Sequence, residues 1–471
     1  MINRKIKRLV GSVSTAIMMM SLFSTNLLAI NEEFDDENDN IISQNESYYE
    51  LLDEMPSDSP IINGTSYALY DTASKAFMLG NDIDLQCEPA SITKVMTVLL
   101  ALENLNQDAI VQITSPMIDG IPDDYVKLGL ISGEEVTVKD LVYAAMLKSC
   151  NDAALALGVY MGGTEADFCS MMNDRATELG CTNTTFTTAY GFADPKNLTT
   201  SHDMCLILEA ALNCPEFTNI STTYQYSINP TNKYTDVRTI TNTNRFVSTQ
   251  EIGYEYYVGG KTGYTDTAGN TLCSAATKNG RTLIGVILGS TSSDQRYYDM
   301  LNLFEYGFIN FTTIAIDDNE YATAYTTTLT RFEESLINTN LLVESNSIDF
   351  SSYITVPSAR AALGNTISVE LSGVNVDLSK SEQSFNIPLY KTFADDVTYI
   401  VGNITIQVRA KDRIVTINPE KKTIWSTIKD ILIAAIAFLI LLIILIVAFY
   451  IFISKTSKRR DREFNKKSRM L

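Results

Sequence analysis

Histidine and tryptophan are almost missing from this chain, with one of each among 471 residues. With His202 alone, a Ser-His-Asp triad has a single choice of base, and an H-E-x-x-H zinc site cannot be assembled. Leu206, Ile207 and the stretch Ala210 to Leu212 supply the buried face of a helix around it. His202 is therefore expected on the exposed side, outside any catalytic role. The seven cysteines (Cys87, Cys150, Cys169, Cys181, Cys205, Cys214 and Cys273) include no C-x-x-C pair. Their odd number leaves at least one thiol without an intrachain partner, and most read as small buried residues rather than a disulfide scaffold. No metal or other cofactor is called for. Lysine and arginine are absent between Ile30 and Pro60, where eleven acidic residues fall. That stretch reads as a solvated linker.

The two ends have characters of their own. Arg4, Lys5, Lys7 and Arg8 precede an apolar run from Leu9 to Leu28, and Ala29 suits a signal-peptide cleavage site. Near the other end, Ile431 to Ile453 carries no charge over 23 residues, where about 20 cross the hydrocarbon core. Eight basic residues follow between Lys455 and Arg469, which places the tail in the cytoplasm and the preceding body outside. Once +4 from the signal and +6 from the tail are set aside, the net charge of −20 becomes −30 for the body. A body this acidic excludes a nucleic-acid partner and disfavours an anionic lipid surface.

From Ile61 onward helical and strand patterns mix. Thr65 to Tyr70, Tyr256 to Thr265, Thr271 to Thr277 and Thr282 to Gly289 read as strands, and Asn279-Gly280 favours a tight hairpin between the last two. Ser91 to Leu105 and Val138 to Met161 read as apolar helical stretches. Helices grouped before an antiparallel meander indicate an α+β fold. From Thr313 to Thr423 short alternating stretches rich in Thr, Val and Ile predict a small all-β domain leading to the span. The expected organisation is a signal peptide at 1–29, an acidic linker at 30–60, a catalytic domain at 61–311 and a β domain at 313–423. A transmembrane helix at 431–453 and a basic tail at 454–471 complete it.

Three motifs carry chemistry. In Pro89-Ala90-Ser91-Ile92-Thr93-Lys94, Ser91 and Lys94 lie one turn apart on one helix face. Lys94 is the one charge between Glu88 and Glu103. An amine in such apolar surroundings loses solvation, its pKa falls, and it can accept the serine proton. In Ser149-Cys150-Asn151, a turn between two apolar helices projects Ser149 and Asn151 the same way, a hydroxyl to relay a proton and an amide for a substrate carbonyl. Asn151 or Asp152 is expected to cap the second helix. In Gly260-Lys261-Thr262-Gly263-Tyr264, a glycine-bearing edge strand admits a substrate backbone, while Lys261 and Thr262 suit a carboxylate.

S-x-x-K, S-x-N and K-T-G in this order resemble the low-molecular-mass penicillin-binding proteins, the serine D-alanyl-D-alanine carboxypeptidases of peptidase family S11. The likeness runs from about Ile61 to Phe311 and includes Lys261 to Gly269, Gly280-Arg281, Gly289, Arg296 and Tyr306-Gly307-Phe308. The β stretch after it resembles that family's stalk. The resemblance implies a penicillin-binding/β-lactamase-like fold in which Ser91 attacks the bond between two terminal D-alanines of a peptidoglycan stem peptide. Lys94 is then its base, Ser149 shuttles the proton, and Asn151 holds the acyl-side amide. Lys261 and Thr262 bind the terminal carboxylate. The N–H groups of Ser91 and Tyr264, beside Gly263, form the oxyanion hole. β-Lactams would trap the acyl-enzyme. Two stretches depart from the family pattern: Thr188-Ala189-Tyr190-Gly191-Phe192 in place of Asn-x-His-Gly-Leu, and Thr199-Thr200-Ser201-His202-Asp203 in place of Ser-Thr-Ala-x-Asp. Both are read as structural. Many relatives use an amphipathic C-terminal helix as the anchor, where this chain has an apolar span.

A class A β-lactamase shares the motifs, but no Glu-x-x-Leu-Asn element supplies its deacylating base. A DD-endopeptidase or transpeptidase of the same superfamily stays as an alternative, because acceptor choice is not written in the motifs. From another class, an inactive penicillin-binding scaffold at the membrane is disfavoured by the intact Ser91, Lys94, Ser149, Asn151, Lys261 and Thr262.

Overall fold

The computed structural model describes residues 59–411 apart from 249–250, 370 and 372–373. The N-terminal signal, nearly all of the acidic linker, the end of the β stretch, the apolar run Ile431 to Ile453 and the basic tail lie outside the described residues. Among the described residues no helix is long and apolar enough to cross a membrane.

Five antiparallel strands form the central sheet: β1 (Ser66–Asp71), β2 (Ala76–Asn81), β3 (Tyr257–Thr265), β4 (Gly269–Lys278) and β5 (Arg281–Ser290), in the order β2-β1-β5-β4-β3. The Asn279-Gly280 turn between β4 and β5 has positive φ at both residues, 55° and 80°. That is the twist a two-residue hairpin requires. Alternation along the strands serves two cores. Ala68, Tyr70, Cys273, Ala275, Ile284, Val286 and Leu288 join the larger helical core. Leu69, Leu283 and Gly285 instead meet the helix α6 (Gln295–Asn310), where Gly285 lies against Met300 and Phe304 and Gly307 against Leu69 and Leu283. Both faces are covered, so the central strands read as nearly continuous apolar runs.

The helical layer comprises α1 (Lys94–Asn104), α2 (Val138–Leu147), α3 (Asn151–Gly162), α4 (Glu165–Glu178) and α5 (Ser201–Leu212). Every residue of α1 from Lys94 to Ala101 is buried, as expected of a helix that is apolar all round. A capping box closes the start of α2, where Thr137 Oγ1 accepts from Asp140 N–H at 3.0 Å. Thr200 caps α5 in the same manner, accepting from Asp203 N–H at 3.0 Å.

The segment after α6 is rich in strands but is not all-β, with a short helix at Ser358–Ala361 and a long one before it. Asp318–Ser335 forms an 18-residue helix, α7. Its threonines favour strands locally, yet Tyr321, Thr328 and Phe332 recur at helical spacing and are buried. Packing on that stripe overrides the propensity. Phe311–Ala315 pairs with Tyr353–Pro357, and Asn365–Val369 pairs with Glu382–Phe393. Residues 336–344, 377–383 and 408–411 form a second small unit. Within it Lys411 N–H donates to the Asn340 carbonyl at 2.7 Å.

Candidate active site

The nucleophile motif begins in a 3-10 turn, Ala90–Thr93, that leads directly into α1. Ala90 has φ of +51°, an unusual conformation for a residue with a Cβ, which costs roughly 1–3 kcal/mol. Gly191 makes that turn fit. Its φ is +80°, and a Cβ there would lie 1.9 Å from the Ala90 carbonyl oxygen. On the opposite side a Cβ at Gly263 would stand 2.8 Å from Ser91 N and 2.4 Å from Thr271 Oγ1. Strand β3 can therefore press against Ser91 only because position 263 is glycine. Thr271 completes the seat by donating to the Pro89 carbonyl at 2.9 Å.

Lys94 is fully buried at the first position of α1. Its Nζ lies 2.9 Å from Ser91 Oγ, 2.8 Å from Asn151 Oδ1 and 2.7 Å from the Tyr190 carbonyl oxygen. The two carbonyl oxygens can only accept. A neutral amine therefore gives both its N–H groups to them and turns its lone pair toward the Ser91 hydroxyl. Burial pushes the Lys94 pKa well below 10.5, and the nearby Lys261 ammonium lowers it further. Cys150 and Asp152 oppose the shift. Neither lysine has an ion-pair partner among the described residues, and an unpaired buried charge is costly. Helix position, burial and acceptors thus act together to favour a neutral Lys94 amine facing Ser91.

Ser149 sits in the three-residue break between α2 and α3 with φ of +61°, a second strained non-glycine residue on the cleft that Ser91 lines. Helix α3 has Cys150 as its N-cap residue without a side-chain hydrogen bond, so neither Asn151 nor Asp152 serves as the cap expected from sequence. Both side chains are used elsewhere. Asn151 bridges Lys94 and the Val126 carbonyl, to which its Nδ2 donates at 3.0 Å.

Strand β3 lies at the sheet edge, as its glycines suggested. Lys261 is buried beneath the cleft, and its Nζ donates to the Thr262 carbonyl at 2.9 Å. Burial lowers its pKa from 10.5 to about 7, and the Arg296 guanidinium adds to the fall. Ser91, Ser149, Asn151, Thr262, Gly263 and Tyr264 all line one cleft of about 510 Å³. The sequence-predicted side chains thus converge, with both lysines below the floor. Tyr264 is 60% exposed at the rim, its hydroxyl donating to Asp266 at 2.9 Å.

Sequence reasoning missed three contributors. The departure at Thr188 to Phe192, read as structural, holds the Tyr190 carbonyl on Lys94 and the Gly191 backbone on Ala90. Arg296 also lines the cleft; its Nη1 donates to the Gly263 carbonyl at 2.7 Å and the Thr271 carbonyl at 3.1 Å. Asp152 is buried beside Asn151. For Asp152 the available signal was adjacency to Asn151, which says nothing of direction; Arg296 and Thr188 to Phe192 entered only through the family comparison, without a role. His202 lies away from the cleft lining and is half-buried rather than exposed. It stacks on Phe77 with ring centroids 4.7 Å apart, and its Nδ1 is 3.0 Å from Asp203 Oδ1. The Asp203 carboxylate is held by Asn183 N–H at 2.9 Å and Thr184 Oγ1 at 2.7 Å on its other oxygen.

Comparison with known proteins fits this geometry. Residues 53–292, about half of the chain, match the peptidase family S11, described as D-alanyl-D-alanine carboxypeptidase. The chain belongs to this family. Over 258 residues it is 35% identical to a D-alanyl-D-alanine carboxypeptidase of Streptomyces sp. (strain K15), covering 52% of this chain and 84% of that relative. It is 30% identical over 277 residues to the D-alanyl-D-alanine carboxypeptidase DacC of Escherichia coli, covering 55% of this chain. The match spans 65% of DacC, just under two thirds of its length. A solved Streptomyces K15 DD-transpeptidase superposes with a TM-score of 0.50 at 32% identity, over 53% of this chain and 99% of the other. The fold alone extends further. DacD from Francisella tularensis gives a TM-score of 0.57 at 21% identity, over 76% of this chain and 96% of the other.

Proposed function

We propose that this chain is a serine DD-carboxypeptidase that removes the terminal D-alanine from peptidoglycan stem peptides and is inhibited by β-lactams. The observation that carries the reading is the Lys94 amine, buried, unpaired and aimed at Ser91 by two carbonyl acceptors. Ser91 Oγ attacks the carbonyl between the last two D-alanines as its proton passes to Lys94 Nζ. The N–H groups of Ser91 and Tyr264 take up the developing oxyanion. Collapse breaks the peptide bond, with Ser149 passing a proton to the leaving amine. Water then hydrolyses the Ser91 ester. Thr262 and Gly263, with Lys261 buried behind them, form the side of the cleft that receives the terminal carboxylate. Asn151 has one N–H left for the acyl-side amide.

The sequence supports the setting. A cleaved signal at 1–29, the linker at 30–60, the catalytic domain at 61–311, the stalk at 313–423, the span at 431–453 and the tail at 454–471 would hold the enzyme outside a single-pass anchor. Water has one competitor. The Streptomyces K15 neighbour is named a DD-transpeptidase, and an acceptor amine entering the same open cleft would give transfer instead of hydrolysis.

The test pairs fluorescent-penicillin labelling with D-alanine release from a peptide ending in D-Ala-D-Ala. Both signals should vanish in Ser91→Ala. Labelling of the native chain without release of D-alanine would favour a scaffold, and release that tracks added acceptor amine would favour transpeptidation. Rapid penicillin turnover would point to a β-lactamase.

A further inference from the structure

The mechanism above gives Asp152 no task, yet its carboxylate is among the most heavily bonded groups near the site. It is 2% exposed and next to Asn151 at the start of α3. Its Oδ1 accepts the Leu128 N–H at 2.8 Å and its own neighbour's Ala153 N–H at 2.9 Å. Its Oδ2 accepts Gly129 N–H at 2.8 Å and Leu130 N–H at 3.1 Å. Three consecutive amides of one irregular loop thus converge on a single buried carboxylate, in bonds of the stronger, charge-assisted kind.

That loop contributes the Val126 carbonyl, which accepts both the Asn151 N–H at 2.8 Å and Asn151 Nδ2–H at 3.0 Å. An amide side chain has a donor end and an acceptor end. With its nitrogen committed to Val126, the Asn151 oxygen must face the other way, onto Lys94 Nζ at 2.8 Å.

We propose that Asp152 is a positioning residue for acyl transfer: by tying down the loop at Leu128, Gly129 and Leu130 it places the Val126 carbonyl that orients Asn151 on the Lys94 base. This rests on the reading of Ser91 as the acylated residue. Asp152 itself touches neither substrate nor Ser91. In Asp152→Asn one side of the carboxylate becomes an NH2 that meets backbone N–H donors, so the loop must move and Asn151 loses its guide.

The charge environment of Lys94 supplies the readout. Burial and then Lys261 on β3 push the Lys94 pKa down, whereas Cys150 at the N-cap of α3 and the Asp152 carboxylate in its first turn push it up. The Tyr190 ring lies 6.0 Å away and completes the surroundings. Removing the Asp152 charge and the Asn151 oxygen together therefore favours the free amine. The base becomes more available but less well aimed.

The experiment measures the rate constant of acylation by penicillin against pH in the full-length chain, with active-site titration and thermal unfolding on the same samples. For Asp152→Asn the rate constant should fall about 100-fold, the scale of a misplacement near 1 Å. The acid limb of the profile should move to lower pH. Leu128→Pro deletes one of the loop donors, leaves both Asp152 and Asn151 in place, and decides the matter where Asp152→Asn does not fold. It should show a smaller fall, about tenfold, with the limb displaced the same way. An unchanged rate constant, or a loss confined to the titratable fraction with the limb in place, would overturn the proposal. Native chain that is not acylated would instead remove the functional reading beneath it.

Discussion

Lys261 offers a prediction in which function and stability oppose each other. Its ammonium is buried with no carboxylate partner among the described residues, donating to one backbone carbonyl at 2.9 Å. Lowering its pKa from 10.5 to about 7 corresponds to about 5 kcal/mol that folding gives up at low pH. The lost Thr262 carbonyl bond returns about 1 kcal/mol, and partial relaxation lowers the figure further. Lys261→Met keeps most of the volume and removes the charge, so a gain of roughly 2–4 kcal/mol is expected below pH 7. At roughly 2–4 °C per kcal/mol, the unfolding midpoint of the catalytic domain should rise by about 5–15 °C. The sign follows from proton counts. Below pH 7 both folded and unfolded lysine are charged and the full cost is present. Between pH 7 and 10.5 the unfolded chain holds more protons, so the native chain gains stability as pH rises. The advantage of the variant should therefore shrink across that window and be gone above it. Circular dichroism melts of both chains at pH 6, 8 and 10 measure this. A variant no more stable than native at pH 6 would refute the buried, unpaired ammonium. The same variant should lose most of its acylation and D-alanine release, because the carboxylate site has lost its cation.

Other consequences follow from the same contacts. Gly191→Ala places a Cβ against the Ala90 carbonyl at a positive φ, and should abolish penicillin labelling while lowering the melting midpoint; normal labelling would show that the Ala90 turn does not depend on it. Asn151→Ala strips one of the two carbonyl acceptors from Lys94, so acylation should drop about 100-fold with the fold retained, as stopped-flow measurement on a chromogenic cephalosporin would show. Native acylation should rise with pH as Lys94 sheds its proton and fall as Lys261 loses its charge through a pKa of about 7. A flat profile between pH 5 and 9 would contradict the two roles. Asp71 is fully buried and accepts from Arg281 Nε at 2.6 Å and Thr313 Oγ1 at 2.6 Å. Asp71→Ala should cost about 3–5 kcal/mol in urea unfolding, because it leaves the Arg281 charge uncompensated.

Much of this architecture was legible from residue order. The Asn279-Gly280 turn, the apolar strands on either side and the all-round apolar helix after Ser91 are local signals that tertiary packing reinforces. The convergence of Ser91, Ser149, Asn151 and Thr262 on one cleft was legible from the three motifs taken together and from the family they resemble, since each motif alone is a common spacing. What stayed hidden depends on backbone atoms and direction. The acceptor at position 190 is a carbonyl, which any side chain there would supply. Asp152 reads as a helix cap because Asp often caps. Only the fold shows that the 128–130 amides take its oxygens. The helix Asp318–Ser335 was obscured because threonine prefers strands and the stripe of Tyr321, Thr328 and Phe332 is sparse. The sequence around His202 points to the surface because nothing local announces Phe77, on which the ring stacks.

The central claim is that Ser91 is the residue acylated, with Lys94 as its base. Intact-mass analysis of the full chain after exposure to benzylpenicillin, followed by peptide mapping, tests it most directly. One penicilloyl adduct per chain on the peptide containing Ser91, absent from Ser91→Ala and strongly slowed in Lys94→Met, is the predicted result. An adduct that persists in Ser91→Ala, or that maps to another residue, would contradict it.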